Sequence, residues 1–194
     1  CLLSRGLGDV YKRQSLEGAD VRWSANDALG IFSGTKFVNA KFTTKDDNAA
    51  SATFTGDATD AEGTEAAKAF AYYPYAAGAT LEGTTVSGLE ILAVQTFAEG
   101  TFATTLNPMA AVGEDHTSLA FRSVGAVLRF KLTGTDTFNK LILTGNNDES
   151  IAGAYALDFS GEVPAMTFSG EGKSITVTCA SDVTLKTDVA TEVH

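Results

Sequence analysis

Few residues in this chain are of a type and spacing that could do chemistry. Of the two histidines, His116 stands in the triplet Glu114-Asp115-His116 and His194 is the last residue. A carboxylate beside an imidazole is raw material for general acid–base catalysis. Adjacent residues on an extended chain point to opposite sides, however, so the triplet makes no triad and reads as a solvated loop between strands. Neither histidine has the spacing of a metal site. Asp57, Asp60 and Glu62 offer the oxygen ligands that calcium takes, but without the spacing and glycine of an EF-hand loop, so they too read as a solvated acidic loop. Cys179 alternates with Ile175 and Val177, which makes it a small core residue rather than a nucleophile. There is no GxGxxG, P-loop, GxSxG or HExxH motif. The expectation is a chain without catalytic residues, metal or cofactor, and therefore not an enzyme.

The aromatic residues are the second candidate set. Phe70-Ala71-Tyr72-Tyr73-Pro74-Tyr75 clusters three tyrosines, and Trp23 is the single tryptophan. Exposed and coplanar, Trp23, Tyr72, Tyr73 and Tyr75 would form a platform for stacking sugars. The plainer reading is a strand whose aromatic bodies pack while the hydroxyls reach water. Pro74 lacks an amide hydrogen and marks a strand end or an edge.

The elements that must position these groups are strands. Hydrophobic residues make up 44% of the 194 and charged residues 20%, a globular balance with room for one large or two small domains. Leu29 to Phe32, then Val38, Ala40 and Phe42, then Ala52 and Phe54, run in short apolar stretches or alternations broken by Gly, Asn and Asp. Residues 89–94, Leu141 to Leu143, and Tyr155, Leu157 and Phe159 continue the series. Met166 to Phe168 and Ile175 to Cys179 look like a hairpin around Gly170-Glu171-Gly172. Period-two alternation between turn signals predicts an all-β antiparallel sandwich or barrel. Residues 61–69 fit either a turn or two of helix, with Thr64 as a cap, or a polar loop. The longest strand-like run, residues 118–133, changes phase. Leu119 and Phe121 are apolar at odd positions, whereas Val124, Ala126, Leu128, Phe130 and Leu132 follow at even ones. A one-residue slip turns the apolar set to the other face, so a bulge near residues 123–125 is predicted, at a seam between units 15–116 and 117–194.

Charge and ends narrow the function. The net charge is −10. Residues 1–14 carry Arg5, Lys12 and Arg13 against Asp9, so the remainder carries −12 of that total. A surface this acidic repels phosphate backbones, which argues against nucleic acid as a partner. No apolar run approaches the ~20 residues of a transmembrane helix. Two cysteines, Cys1 and Cys179, imply no disulfide framework. The basic segment CLLSRGLGDVYKRQ lacks the Ala/Thr/Gly texture of the rest and is read as an adaptor-derived artefact of gene assembly, to be set aside from fold reasoning.

Several stretches, in order, resemble the fimbrillin-like family of Bacteroidales surface proteins, the subunits and adhesins of type V pili. They are Trp23-Ser24-Ala25-Asn26-Asp27-Ala28-Leu29-Gly30-Ile31-Phe32, Phe54-Thr55-Gly56, Ala71-Tyr72-Tyr73-Pro74-Tyr75, and Gln95 with Pro108-Met109-Ala110. Ser118-Leu119-Ala120-Phe121, Gly125-Ala126-Val127-Leu128, and residues 140–145 with Gly153 complete the set. Arg122-Ser123 departs from the pattern, since many members carry histidine after the position of Phe121. The resemblance covers residues 23 to about 160 and thins beyond. It implies two transthyretin-like β-sandwich domains, the second incomplete, and export to the cell surface, outer membrane or fimbrium as a lipoprotein. It also implies assembly with other pilus subunits by β-strand addition, with host proteins or glycans as further partners. Arg22 is the candidate processing point. A glycan-holding surface lipoprotein of the same fold, with Trp23, Tyr72, Tyr73 or Tyr75 stacking on sugar, is the alternative. Missing strands would leave Leu128, Phe130, Tyr155 and Leu157 uncovered.

Overall fold

The computed structural model describes residues 2–3, 13–17, 20–56, 62–98, 101–102 and 106–194. Most of the segment read as adaptor-derived, together with Asp57, Asp60, Ala61 and Gly100, lies outside the described residues. The fold is all-β, with no helix among the described residues.

The largest sheet has seven strands: β1 (Leu2–Leu3), β4 (Ala28–Ser33), β5 (Phe37–Thr44), β6 (Ala52–Thr55), β7 (Ala69–Tyr73), β12 (Met109–Gly113) and β13 (Arg122–Ser123). Their spatial order is β1-β6-β5-β4-β7-β12-β13, every neighbouring pair antiparallel. Its central strands are apolar on both faces, so their alternation divides two cores. Leu29, Ile31, Ala69, Ala71, Tyr73, Met109 and Ala111 enter one core with Trp23, Phe37, Phe42, Phe54, Leu119 and Phe121. Phe32, Tyr72 and Ala110 enter the other.

The second core is closed by a four-stranded sheet, β17-β16-β9-β8, of β8 (Thr80–Glu82), β9 (Thr85–Ile91), β16 (Gly153–Asp158) and β17 (Ala165–Phe168). Val86, Leu89, Tyr155 and Leu157 supply its inner face, with Phe159 just beyond β16. Strand pairing thus crosses residue 116: β9, before it, pairs with β16, after it. A further sheet, β11-β10-β18-β15, joins β10 (Val94–Ala98) and β11 (Thr101–Phe102) to β15 (Thr137–Thr144) and β18 (Ser174–Thr184). Within it β10 and β18 are parallel. The pairing of β15 with β18 runs on, after a bend, into that of β14 (Phe130–Leu132) with β19 (Thr191–Val193). The connecting bond from the Gly134 amide to the Lys186 carbonyl makes the four strands one bent ribbon. Lys131 Nζ, 3.1 Å from Glu192 Oε1, clips its far end. The remaining pair is β2 (Arg13–Glu17) with β3 (Asp20–Val21).

Three local expectations are corrected, and the choice left open at residues 61–69 falls to the loop. Residues 118–133 form no continuous strand: β13 and β14 are separated by residues 124–129. The phase change nevertheless has a cause, because Leu119 and Phe121 fill the first core while Val124 packs against the second. In β5, Val38 is 70% exposed although Ala40 and Phe42 are buried. The register slips between Ile31↔Ala40 and Ser33↔Phe37, and Asn39 has φ of +53°, a bulge that turns Phe37 inward in its place. Residues 62–68 are loop, held by bonds from the Thr35 amide to the Thr64 carbonyl and from the Ala66 amide to Ser33 Oγ. β17 and β18 are no hairpin. β17 pairs with β16 and β18 with β15, so Gly170-Glu171-Gly172 carries the chain between sheets.

Candidate interaction site

Trp23, Tyr72 and Tyr73 are withdrawn from solvent, so they form no stacking platform. Trp23 is held by an isolated bridge to Ala49, and Phe54, Tyr73 and Phe121 meet it edge-on at centroid distances of 4.9, 5.4 and 5.4 Å. The tyrosine bodies pack as read from the sequence, but their hydroxyls bond inside the protein instead of reaching water. Tyr73 donates to Asp27 Oδ1 at 2.7 Å, and Asp27 Oδ2 accepts from the Ser24 amide at 2.8 Å. The Tyr72 hydroxyl meets Asn39 Oδ1 at 2.6 Å and the Ala76 carbonyl at 2.9 Å. Burial pushes its phenol up to about 12. Only Tyr75 is partly open, and Lys41 Nζ sits 5.3 Å from its ring centroid. The alternation of β7 sends Tyr72 and Tyr73 into different cores, so they cannot be coplanar neighbours.

The acid–base candidates are likewise dispersed. His116 is more enclosed than a solvated loop implies: its ring lies 4.6 Å from Phe37, and Nδ1 is 2.8 Å from Glu65 Oε2. Lys36 Nζ stands 3.7 Å from the other Glu65 oxygen. Asp115 turns away to accept from the Thr117 amide and hydroxyl, which hold its carboxyl below the usual range. This is a clasp between two loops. Cys179 is half-buried on β18, its thiol pushed up by burial. The Arg22 guanidinium donates to the Asn48 carbonyl at 3.2 Å, beside the Trp23 bridge. Among the described residues no three His, Cys, Asp or Glu side chains are grouped to hold a metal, and no helix is long and apolar enough to cross a membrane.

The feature that does stand out is apolar. Between the ribbon and the β16–β17 sheet lies a cavity of about 280 Å³. Phe130, Leu141, Leu143 and Ile175 line it from the ribbon, Met166 and Phe168 from β17. Native interiors are close-packed, with few voids larger than a water molecule, so this cavity is an apolar concavity between sheets and not ordinary core packing. Leu128 lines it and is 50% exposed. The expectation that Tyr155 and Leu157 are uncovered is corrected, because β9 and the seven-stranded sheet bury both.

Two strand edges border the cavity. β15 has β18 on one side and no strand on the other among the described residues; β17 has only β16. In an antiparallel ladder alternate residues bond to the same neighbour. The Gly145 amide bonds to the Lys173 carbonyl, so odd residues of β15 face β18 and the amides and carbonyls of Lys140, Ile142 and Thr144 face outward. On β17, the Ser169 amide bonds to the Ala154 carbonyl, which leaves those of Met166 and Phe168 facing outward. Alternation made the lining residues legible as apolar strand positions; that no strand among the described residues covers them depends on pairings distant in sequence.

No known protein family, curated protein or solved structure matches this chain.

Proposed function

We propose that this chain is a non-enzymatic, fimbrillin-like cell-surface protein, a structural or adhesive pilus subunit that assembles by β-strand addition. One observation carries the reading: the apolar cavity of about 280 Å³ lies beside the open edge of β17, whose Met166 and Phe168 both line the cavity and present unpaired backbone groups. An entering strand satisfies both defects together. Its backbone completes the ladder on β17 and gives affinity; its alternate side chains fill the cavity and fix register. The order of motifs from Trp23 to Gly153 supports the fimbrillin-like assignment and, with it, placement at the outer membrane or fimbrium.

The test is hydrogen–deuterium exchange on dilute protein with extended peptides that carry apolar residues at alternate positions. The Met166 and Phe168 amides exchange quickly in the free chain and become protected by such a peptide, but not by a scrambled one. Peptides that protect neither amide at any concentration short of aggregation overturn the reading.

A further inference from the structure

We propose that the outer edge of β15 is a self-pairing surface, on which a second copy of the chain docks its own β15 antiparallel about a two-fold axis at Ile142. The strand's geometry selects that axis. The register irregularity between Phe138 and Lys140 ends the straight part of the ladder, leaving Lys140 to Thr144, whose midpoint is Ile142. Residues that face one another across an antiparallel pair share a side of the sheet. Only axes through a residue of β15, not between residues, therefore keep cavity-facing side chains together.

The candidate axes differ in what they satisfy. An axis at Lys140 sets two like charges opposite each other, which is unfavourable. An axis at Leu141 brings Lys140 opposite Ile142 and leaves both Thr144 positions facing the bulged part of the other strand. An axis at Ile142 pairs Ile142 with the partner's Ile142, and Lys140 with the partner's Thr144. All outward backbone groups of Lys140, Ile142 and Thr144 are then bonded. On the cavity side Leu141 meets the partner's Leu143, and on the outer side the two Ile142 side chains, each 55% exposed in one chain, cover one another. The edge also lacks the protection that solitary edge strands usually have: residues 137–144 contain no proline and a single charge, Lys140. A two-fold pairing uses the same edge of both copies and therefore closes at two. It goes beyond strand addition at β17, which remains open in the pair.

Sedimentation equilibrium over a wide concentration range tests the pairing. The wild-type chain shows a monomer–dimer equilibrium that strengthens with salt, because each copy carries −10. Ile142→Lys and Ile142→Glu place like charges across the axis on an exposed face, so each monomer folds while its self-association falls on the order of tenfold or more. Mixing the two variants restores a heterodimer. Ile142→Cys, in a Cys1→Ser and Cys179→Ser background, crosslinks under mild oxidation, since facing Cα atoms of a bonded pair lie about 5.5 Å apart. A wild type monomeric at the highest concentration, or dimers unaffected by Ile142→Lys, overturns the proposal. Strand addition is judged separately, by protection of Met166 and Phe168.

Discussion

Replacing Tyr73 with phenylalanine removes a single oxygen from a buried polar contact. That oxygen donates to Asp27 Oδ1 at 2.7 Å, and Asp27 is only 6% exposed. A hydrogen bond to a charged group contributes about 1.5–3 kcal/mol, roughly twice a neutral one. The phenyl ring keeps its packing on Trp23, so no cavity adds to the loss. Tyr73→Phe is therefore expected to cost about 2 kcal/mol, which for a domain of this size lowers Tm by roughly 4–8 °C. Asp27→Ala costs more, because it also strips the Ser24 amide of its acceptor. The double variant costs less than the two losses added, with a coupling of about 2 kcal/mol, since the shared bond is lost once. The assay is urea unfolding followed by fluorescence of Trp23, the single tryptophan, whose ring sits 5.4 Å from that of Tyr73. A Tyr73→Phe effect below about 0.5 kcal/mol, or strict additivity, refutes the claim that this bond ties the 24–27 turn to β7.

Gly30→Ala drives a methyl group into the Tyr72 ring, whose hydroxyl is anchored at Asn39 and Ala76, and is expected to destabilise by about 1–3 kcal/mol or more in the same urea assay. Trp23 fluorescence stays unchanged across a panel of soluble glycans and is weakly quenched by acrylamide; saturable quenching by a sugar without unfolding restores the stacking alternative. Burial raises the phenols of Tyr72, to about 12, and of Tyr155, further still, above their ordinary value near 10. A raised acid favours folding below its unfolded value, and that contribution is lost as pH climbs from about 10 through 12. Absorbance at 295 nm should therefore show Tyr72 and Tyr155 ionising together with unfolding; smooth ionisation near pH 10 in folded protein contradicts this.

Local patterns in the chain carry information about faces. Leu29 and Ile31, Ala52 and Phe54, and Tyr155, Leu157 and Phe159 alternate because strand side chains alternate, so strand type and buried face were legible without coordinates. The phase change between Phe121 and Val124 was legible too, as a passage between cores, although not as one strand. What local pattern cannot carry is partnership. β9 pairs with β16, and β10 with β18, across long separations in sequence that leave no mark on either strand. Bulges are equally silent: Val38 reads as buried until Asn39 adopts a positive φ. For the site the division is the same. Sequence alone determined an all-β, acidic chain whose acids, histidines and cysteines fall in no catalytic spacing, because residue type and period are properties of single segments. Only the tertiary structure decided that Trp23, Tyr72 and Tyr73 are core, and that Leu141, Leu143, Met166 and Phe168 face a cavity beside strand edges that are open among the described residues. Which surfaces stay unpaired is a property of the whole set of strands, fixed once every other strand has found its neighbour.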